Sequence, residues 1–274
     1  MKNLIIPSLC LLVILLSCGN KAKNKELSEN GTAEINTEVS IEEEDYDEIY
    51  KLYLDSIINS KNENYRVQIK SSPYREKIIA IDTTEFEKIF SELSKKWKDG
   101  YNAKFYEYDE HEAWGETEVK PLTAQKRALQ KAFAPYKEIA KKPFLEVQGG
   151  GSYDGYSYHI VNDINGDGVK DGYVYFDYSF GTLASSYNGY ALFIYKNDKF
   201  EFLQIFGNGW HTWGKETPDY NIGVFNNMIY AFSSEYMSYD PRCCPSIGIK
   251  KIYKLFDNKL IEVYRKYYSQ AEER

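Results

Sequence analysis

Histidine is nearly missing from this 274-residue chain: only His111, His159 and His211 occur. No Gly-x-Ser-x-Gly, His-Glu-x-x-His or Gly-rich phosphate loop is present. The exposed nucleophile, the helical zinc site and the phosphate cradle that those patterns build are therefore unsupported. Cysteine is almost as scarce, with four residues and no Cys-x-x-Cys spacing, which removes the usual zinc and dithiol frameworks. A basic excess is lacking too. There are 34 Lys and Arg against 41 Asp and Glu, a net charge of −7, whereas nucleic-acid binding wants a basic face. The longest apolar run, Leu4 to Leu16, falls short of the roughly 20 residues that span a bilayer. Carboxylates are plentiful, but chain spacing does not pick out a general acid and base among them. These absences lean away from an enzyme.

The short apolar run gains meaning from its flanks. Lys2 precedes it and Ser17-Cys18-Gly19 follows, the layout of a secretory signal peptide over residues 1–17. Leu15-Leu16-Ser17-Cys18 resembles the lipobox of bacterial lipoproteins. That resemblance implies cleavage before Cys18, acylation of its thiol and attachment to a membrane. Each buried methylene of such a chain contributes about 0.8 kcal/mol. Gly19, rather than Asp, carries no signal for retention at the inner membrane, so the expected address is the outer membrane of the cell envelope, facing either side. Cleavage takes Lys2 away and brings the net charge to −8. Residues 18–39 are polar and poor in large apolar side chains, the composition of a disordered, lipidated tether.

Beyond the tether, the spacing predicts an α+β protein: a helix-rich region over 40–148, then an antiparallel β meander over 149–274. Ser40-Ile41-Glu42-Glu43 and Thr84-Glu85-Phe86-Glu87 read as capping boxes. They open predicted helices over 41–59 and 84–98, the second stopped by Gly100. Strict alternation predicts a strand over 65–70, and 77–81 reads as another. A third helix starts near Pro121, with Leu122, Leu129, Phe133, Tyr136 and Ile139 on one side and a break near Pro135. After Gly149-Gly150-Gly151, strand-like runs flank Asn197-Asp198, Asn226-Asn227 and Asp257-Asn258. Asn and Asp tolerate left-handed backbone, so each pair suits a tight hairpin turn. Propeller, barrel and sandwich all accommodate such hairpins. The 26 tyrosines fit sheet propensity first, and an aromatic surface for sugars or a protein partner second.

The strongest chemical signal is Asp163-Ile164-Asn165-Gly166-Asp167-Gly168-Val169-Lys170-Asp171. Oxygen side chains at Asp163, Asn165, Asp167 and Asp171, the Val169 carbonyl, and a Gly at the sharp bend are what a hard cation such as Ca²⁺ needs. An EF-hand would place a bidentate Glu where Val174 stands. The segment instead resembles the Asp-x-Asn-x-Asp-Gly-x-x-Asp loops between strands of FG-GAP and integrin-type repeats. That resemblance covers about 14 residues and implies a structural Ca²⁺. The alternative is a metal-free turn in which the same side chains bond local backbone.

Two further segments stand out. Trp210, His211 and Trp213 form a Gly-bounded aromatic loop, readable as a binding surface or as packing onto the sheet. Asp240-Pro241-Arg242-Cys243-Cys244-Pro245 is similar to a segment of uncharacterised exported bacterial proteins, where Cys243 and Cys244 would close a strained vicinal disulfide. The expected function is a lipid-anchored, Ca²⁺-stabilised, non-catalytic module with a protein or glycan partner and no nucleic acid. An envelope hydrolase acting on glycan or peptide, and a protective lipoprotein inhibiting a toxin or lysozyme-like enzyme, are the rival readings.

Overall fold

The structure, a computed structural model, describes residues 43–71, 83–104, 108–113, 116–119, 121–148, 152–180, 186–211, 215–241 and 244–270. The signal peptide, Cys18, the tether and the predicted strand over 77–81 lie outside them.

Helix α1 spans Glu43–Lys70 and buries Leu54, Ile58 and Tyr65, spaced by four and seven residues. The strand predicted over 65–70 is absent, because α1 simply continues. Tyr65 extends the helical stripe, Val67 is exposed, and neither Gly nor Pro interrupts 59–70. The polar run Ser60 to Asn64 only imitates a loop. Helix α2 spans Thr83–Lys104 and buries Phe86, Ile89, Phe90 and Leu93. It runs past Gly100, since a glycine costs a helix only about 1 kcal/mol relative to Ala and forbids nothing.

Helix α3 (Ala124–Phe133) is capped by Thr123, whose side chain accepts the Lys126 N–H. At Pro135 the chain makes the expected break, a 3-10 turn over Ala134–Tyr136, and resumes as α4 over Lys137–Gln148. The tighter turn shifts the helical phase. Ala140 and Phe144 become the inward residues and Ile139 is left 57% exposed, contrary to the single stripe expected.

Among the described residues, ten strands form two antiparallel sheets. The first has six strands in the order β2-β1-β3-β4-β5-β6, and the second four in the order β10-β9-β8-β7. Strands β1 (Glu110–Ala113) and β2 (Glu116–Val119) fall inside the region expected to be helix-rich. They carry almost no apolar residues, and β1 is a strand because it pairs with β3, Tyr153–Ile160. From β4 onward (Gly172–Ser179, Tyr187–Lys196, Lys199–Trp210, Tyr220–Phe225, Met228–Glu235, Ile247–Phe256, Lys259–Ser269) each strand follows its predecessor as a hairpin or, between β6 and β7, crosses to the other sheet. The three Asn/Asp turns all have positive φ, from 48° to 61°, as their composition demands.

The layers run helix, sheet, sheet, helix. One face of the first sheet packs Tyr156, Val174, Phe176 and Phe193 against Leu129, Phe133 and Phe144 of α3 and α4. Its other face packs Tyr173, Tyr190 and Leu192 against Ile229, Ala231 and Tyr253 of the second sheet. The far face of that sheet receives α2. The architecture is thus a sandwich of two sheets. Strand β10 is the second sheet's edge, and α1 lies along it. The Asn62 side chain donates to the Tyr267 carbonyl (3.1 Å) and accepts the Tyr267 N–H (2.9 Å), as a neighbouring strand would. An edge covered in this way offers no free template for further pairing.

Phe133 is fully buried between helices and sheet, so Phe133→Ala should cost about 3–5 kcal/mol. Ile139→Ala on the exposed side should stay within about 0.5 kcal/mol. Urea midpoints of the two variants check the phase shift at Pro135, and equal losses would contradict it.

Candidate functional site

The Asp163–Asp171 segment joins β3 to β4. Gly166 and Gly168 have φ of 86° and 85°, which is the sharp bend the spacing required. The side chains turn inward onto the loop's own backbone. Asp163 accepts N–H groups of Gly166 (2.6 Å) and Gly168 (2.7 Å), and Asp167 accepts that of Val169 (2.8 Å). Asn165 Oδ1 accepts the Asp167 N–H at 3.0 Å. Asp171 is fully buried and bridges two elements, accepting the Ile164 N–H (2.7 Å) and the Tyr195 N–H of β5 (2.9 Å). Burial pushes its carboxyl above the ordinary range, and the charges of Asp167 and Asp163 add to that push. Among the described residues no three His, Cys, Asp or Glu side chains converge as metal ligands. The backbone-bonded arrangement is that of the metal-free turn, and the sharp bend at Gly166 and Gly168 is common to both readings.

The aromatic segment divides at the sheet. Trp210 faces the helices, 5.6 Å from Phe144 and 5.4 Å from Tyr187 between ring centroids. His211 points the other way, its Nε2 3.1 Å from Asn188 Nδ2, and burial lowers its pKa. Strand alternation therefore separates two residues that adjacency in sequence had grouped, and Trp213 lies outside the described residues. Cys243 lies outside them as well. Around Cys244 the chain is organised by Asp240, whose carboxylate accepts the N–H groups of Met237 (2.7 Å) and Ser246 (2.8 Å) and the Ser246 hydroxyl. Asp240 closes this loop, a role that attention to the cysteines had hidden.

The most concentrated chemistry was not visible in the sequence. Lys251 of β9 sits opposite Ala231 and shares its face, so its ammonium enters the space between the sheets. Only 4% of the residue is exposed. Asp219 and Glu216, from the connection between β6 and β7, both bond it. Tyr253 donates its hydroxyl to Asp219 at 2.7 Å. Gly207 of β6 makes the approach possible: its φ is +57°, and a Cβ there would lie 2.5 Å from the Asp219 carboxylate. Arg265 of β10 closes the cluster, reaching Glu262 through two nitrogens at 2.7 Å and Glu216 at 2.5 Å. These residues line a cavity of about 300 Å³. A second cavity of about 390 Å³, between α1 and β10, shares Glu262 and Arg265 with it.

Two carboxylates at one ammonium invite comparison with an acid–base pair. Burial pushes Asp219 upward. Burial would raise Glu216 too, but Lys251 and Arg265 outweigh it and hold that carboxyl below its ordinary value of 4.5. Lys251 is pushed down by burial and more than restored by its two anions. Yet the Asp219 side chain has no exposed surface and each of its oxygens is already bonded, one to Lys251 and one to Tyr253, so it has no free edge for acid–base work. The cluster neutralises a buried cation and shapes a polar cleft.

Removing that cation should be expensive, because two carboxylates would stay covered without it. Lys251→Met should lose about 3–5 kcal/mol at pH 7. Glu216 has a depressed folded-state pKa, so its stabilising contribution is full above 4.5 and fades as pH falls through the folded value. The deficit of the variant should therefore shrink on acidification. Denaturant titrations between about pH 7 and pH 3 test this, and a pH-independent deficit would mean that the ion pairs are not its source.

Among known proteins, no family model, no curated sequence and no solved structure matches this chain.

Proposed function

We propose that the chain is a lipoprotein of the bacterial cell envelope, anchored at Cys18 to the outer membrane, whose β sandwich serves as a non-catalytic binding module. One observation carries the binding reading: the ionisable groups of the cleft are committed to one another. Arg265 engages Glu216 and Glu262 with all three of its nitrogens, and Lys251 is held between Asp219 and Glu216. Such a cleft offers fixed hydrogen-bonding edges and keeps no uncommitted acid or base for a reaction. The anchor rests on the charge, apolar and Ser-Cys order of residues 1–18. Among the described residues no helix is long and apolar enough to cross a membrane.

Calcium is the proposed structural cofactor. Asp163, Asn165, Asp167, the Val169 carbonyl and Asp171 would hold it. The ion would supply positive charge beside carboxylates that now raise the Asp171 pKa. Without a bidentate Glu the affinity expected is that of extracellular modules, about 10⁻⁴–10⁻³ M.

At ten times Kd, binding to the folded state alone adds about 1.4 kcal/mol, a rise in Tm of roughly 3–6 °C for a chain of this size. Melts in EDTA and in rising Ca²⁺ should show a saturable increase that Asp167→Ala removes. No increase up to about 10 mM would reject the metal. Incorporation of an alkyne-tagged palmitate in cells should be lost in Cys18→Ser, and labelling that survives the substitution would reject the anchor.

A further inference from the structure

Glu262 and Arg265 line both cavities, the inter-sheet cleft and the space between α1 and β10, and the groove they share has a balanced lining. Lys61, Lys251 and Arg265 supply three cations, and Glu216, Asp219 and Glu262 supply three anions. Every one of the cations is paired. Lys61 bonds both oxygens of Glu235 (2.7 and 2.8 Å), Arg265 forks onto Glu262, and Lys251 is enclosed by its two carboxylates. An incoming anion or cation meets charges that their neighbours already neutralise, and gains a full ion pair only by displacing one of them, which leaves a partly buried charge without its partner and is costly.

A neutral ligand that both donates and accepts has no such obstacle. A carboxylate has about four lone-pair positions, and Glu262 gives two of them to Arg265, leaving others for a donor. Lys61 has three N–H groups and spends two on Glu235. Asn64 and Gln68 present exposed amides from α1 on the same wall. Acceptors and donors thus alternate along the groove, and a hydroxyl satisfies both. Tyr267 adds a half-buried aromatic edge backed by the buried Tyr65, with the Arg265 guanidinium 6.0 Å from the Tyr65 and 5.7 Å from the Tyr267 ring centroid. Each cavity lies at or above the lower end of the roughly 300–1,000 Å³ range of small-molecule sites.

We infer that this groove binds a neutral saccharide, a short oligosaccharide lying across the Glu262–Arg265 pair with its hydroxyls bonded to Glu262, Lys61, Asn64 and Gln68. The inference rests on the binding reading above and names its ligand class. Ligand hydroxyls would add bonds to ion pairs that stay intact, so affinity should depend little on salt. Charged ligands would be disfavoured from both sides, which sets the groove apart from a basic or acidic patch.

The test uses the full chain in detergent with its lipid, titrated with cellobiose, diacetylchitobiose and maltotriose by saturation-transfer NMR and calorimetry. A sulfated disaccharide and spermine serve as charged probes. At least one neutral sugar should bind. In Asn64→Ala/Gln68→Ala, whose changes are solvent-facing and spare the fold, Kd should rise about tenfold, equivalent to about 1.4 kcal/mol. Binding by a charged probe alone, binding unaffected by the double substitution, or no binding by any neutral sugar would overturn the inference. The same samples, followed over hours, separate the two claims. New reducing-end signals would show turnover and overturn the non-catalytic reading while leaving the saccharide site standing. Absence of sugar binding alone would remove only the site.

Discussion

A lysine on the inner face of a sandwich is the constraint around which the rest is arranged. Lys251 enters the space between the sheets beside Ala231 and Tyr253, where an unpaired ammonium would cost several kcal/mol. Its neutralisation requires two carboxylates from one connection, Glu216 and Asp219. That requirement fixes the path of the chain from β6 to β7. The Asp219 N–H donates to the Gly207 carbonyl at 2.8 Å, and the left-handed glycine leaves room for the carboxylate above it. Glu216 then draws in Arg265, and Arg265 draws in Glu262. One buried charge thereby organises five residues on both sheets and the connection between them, and opens a cleft where apolar packing would have closed it.

The remaining layers follow ordinary economy of apolar surface. Each sheet has two faces to cover, and a single inter-sheet core serves only one face of each. The outer faces need helices, which α2 and the α3–α4 pair provide. The abundant tyrosines suit this arrangement, because many lie with rings in a core and hydroxyls at its polar margin. Tyr253 reaches Asp219 and Tyr158 reaches Glu110. Burial pushes such phenols far above their ordinary value of 10.0, and the carboxylate beside each adds to the shift. They act as hydrogen-bond donors throughout the accessible pH range.

Local chemistry was legible in the sequence and partnership was not. The Asn/Asp turns, the break at Pro135 and the bend at Gly166 are set by residues within a few positions of one another, and their signals sat in the chain, whereas the helix expected to start near Pro121 begins at Ala124 behind a Thr123 cap. The failures share a cause. The alternation over 65–70 masked the helical spacing of Tyr65 with Leu54 and Ile58, and the β10 edge that this helix covers through Asn62 and Tyr267 appears only in three dimensions. β1 is defined by its neighbour β3 and not by its own residues. The charged cleft joins positions 207, 216, 219, 251, 262 and 265, none of which forms a motif. In the sequence Lys251 is one basic residue in Lys250-Lys251, of which the first turns toward α2 and Glu87 and the second into the space between the sheets.

The loop and the cleft are linked by strand β7. Asp219 precedes its first residue and is locked to β6 and β9. At the other end Asn162, beside the Asp163 loop, donates to the Val224 carbonyl at 3.2 Å, and Asn227 of the following turn lies against Gly166. β7 is an edge strand with one partner, and edge strands with so few neighbours are the first to open locally. Here its first end is fastened to the opposite sheet by the Asp219 backbone N–H on Gly207, and its far end by the Asn162 side chain on Val224. A binding module of the kind proposed, which would recognise its ligand through fixed hydrogen-bonding edges, loses affinity for every rotamer it must order on binding. Holding β7 at both ends removes that freedom in advance, which makes the loop part of the cleft's rigidity even though the two are separated by the length of a strand.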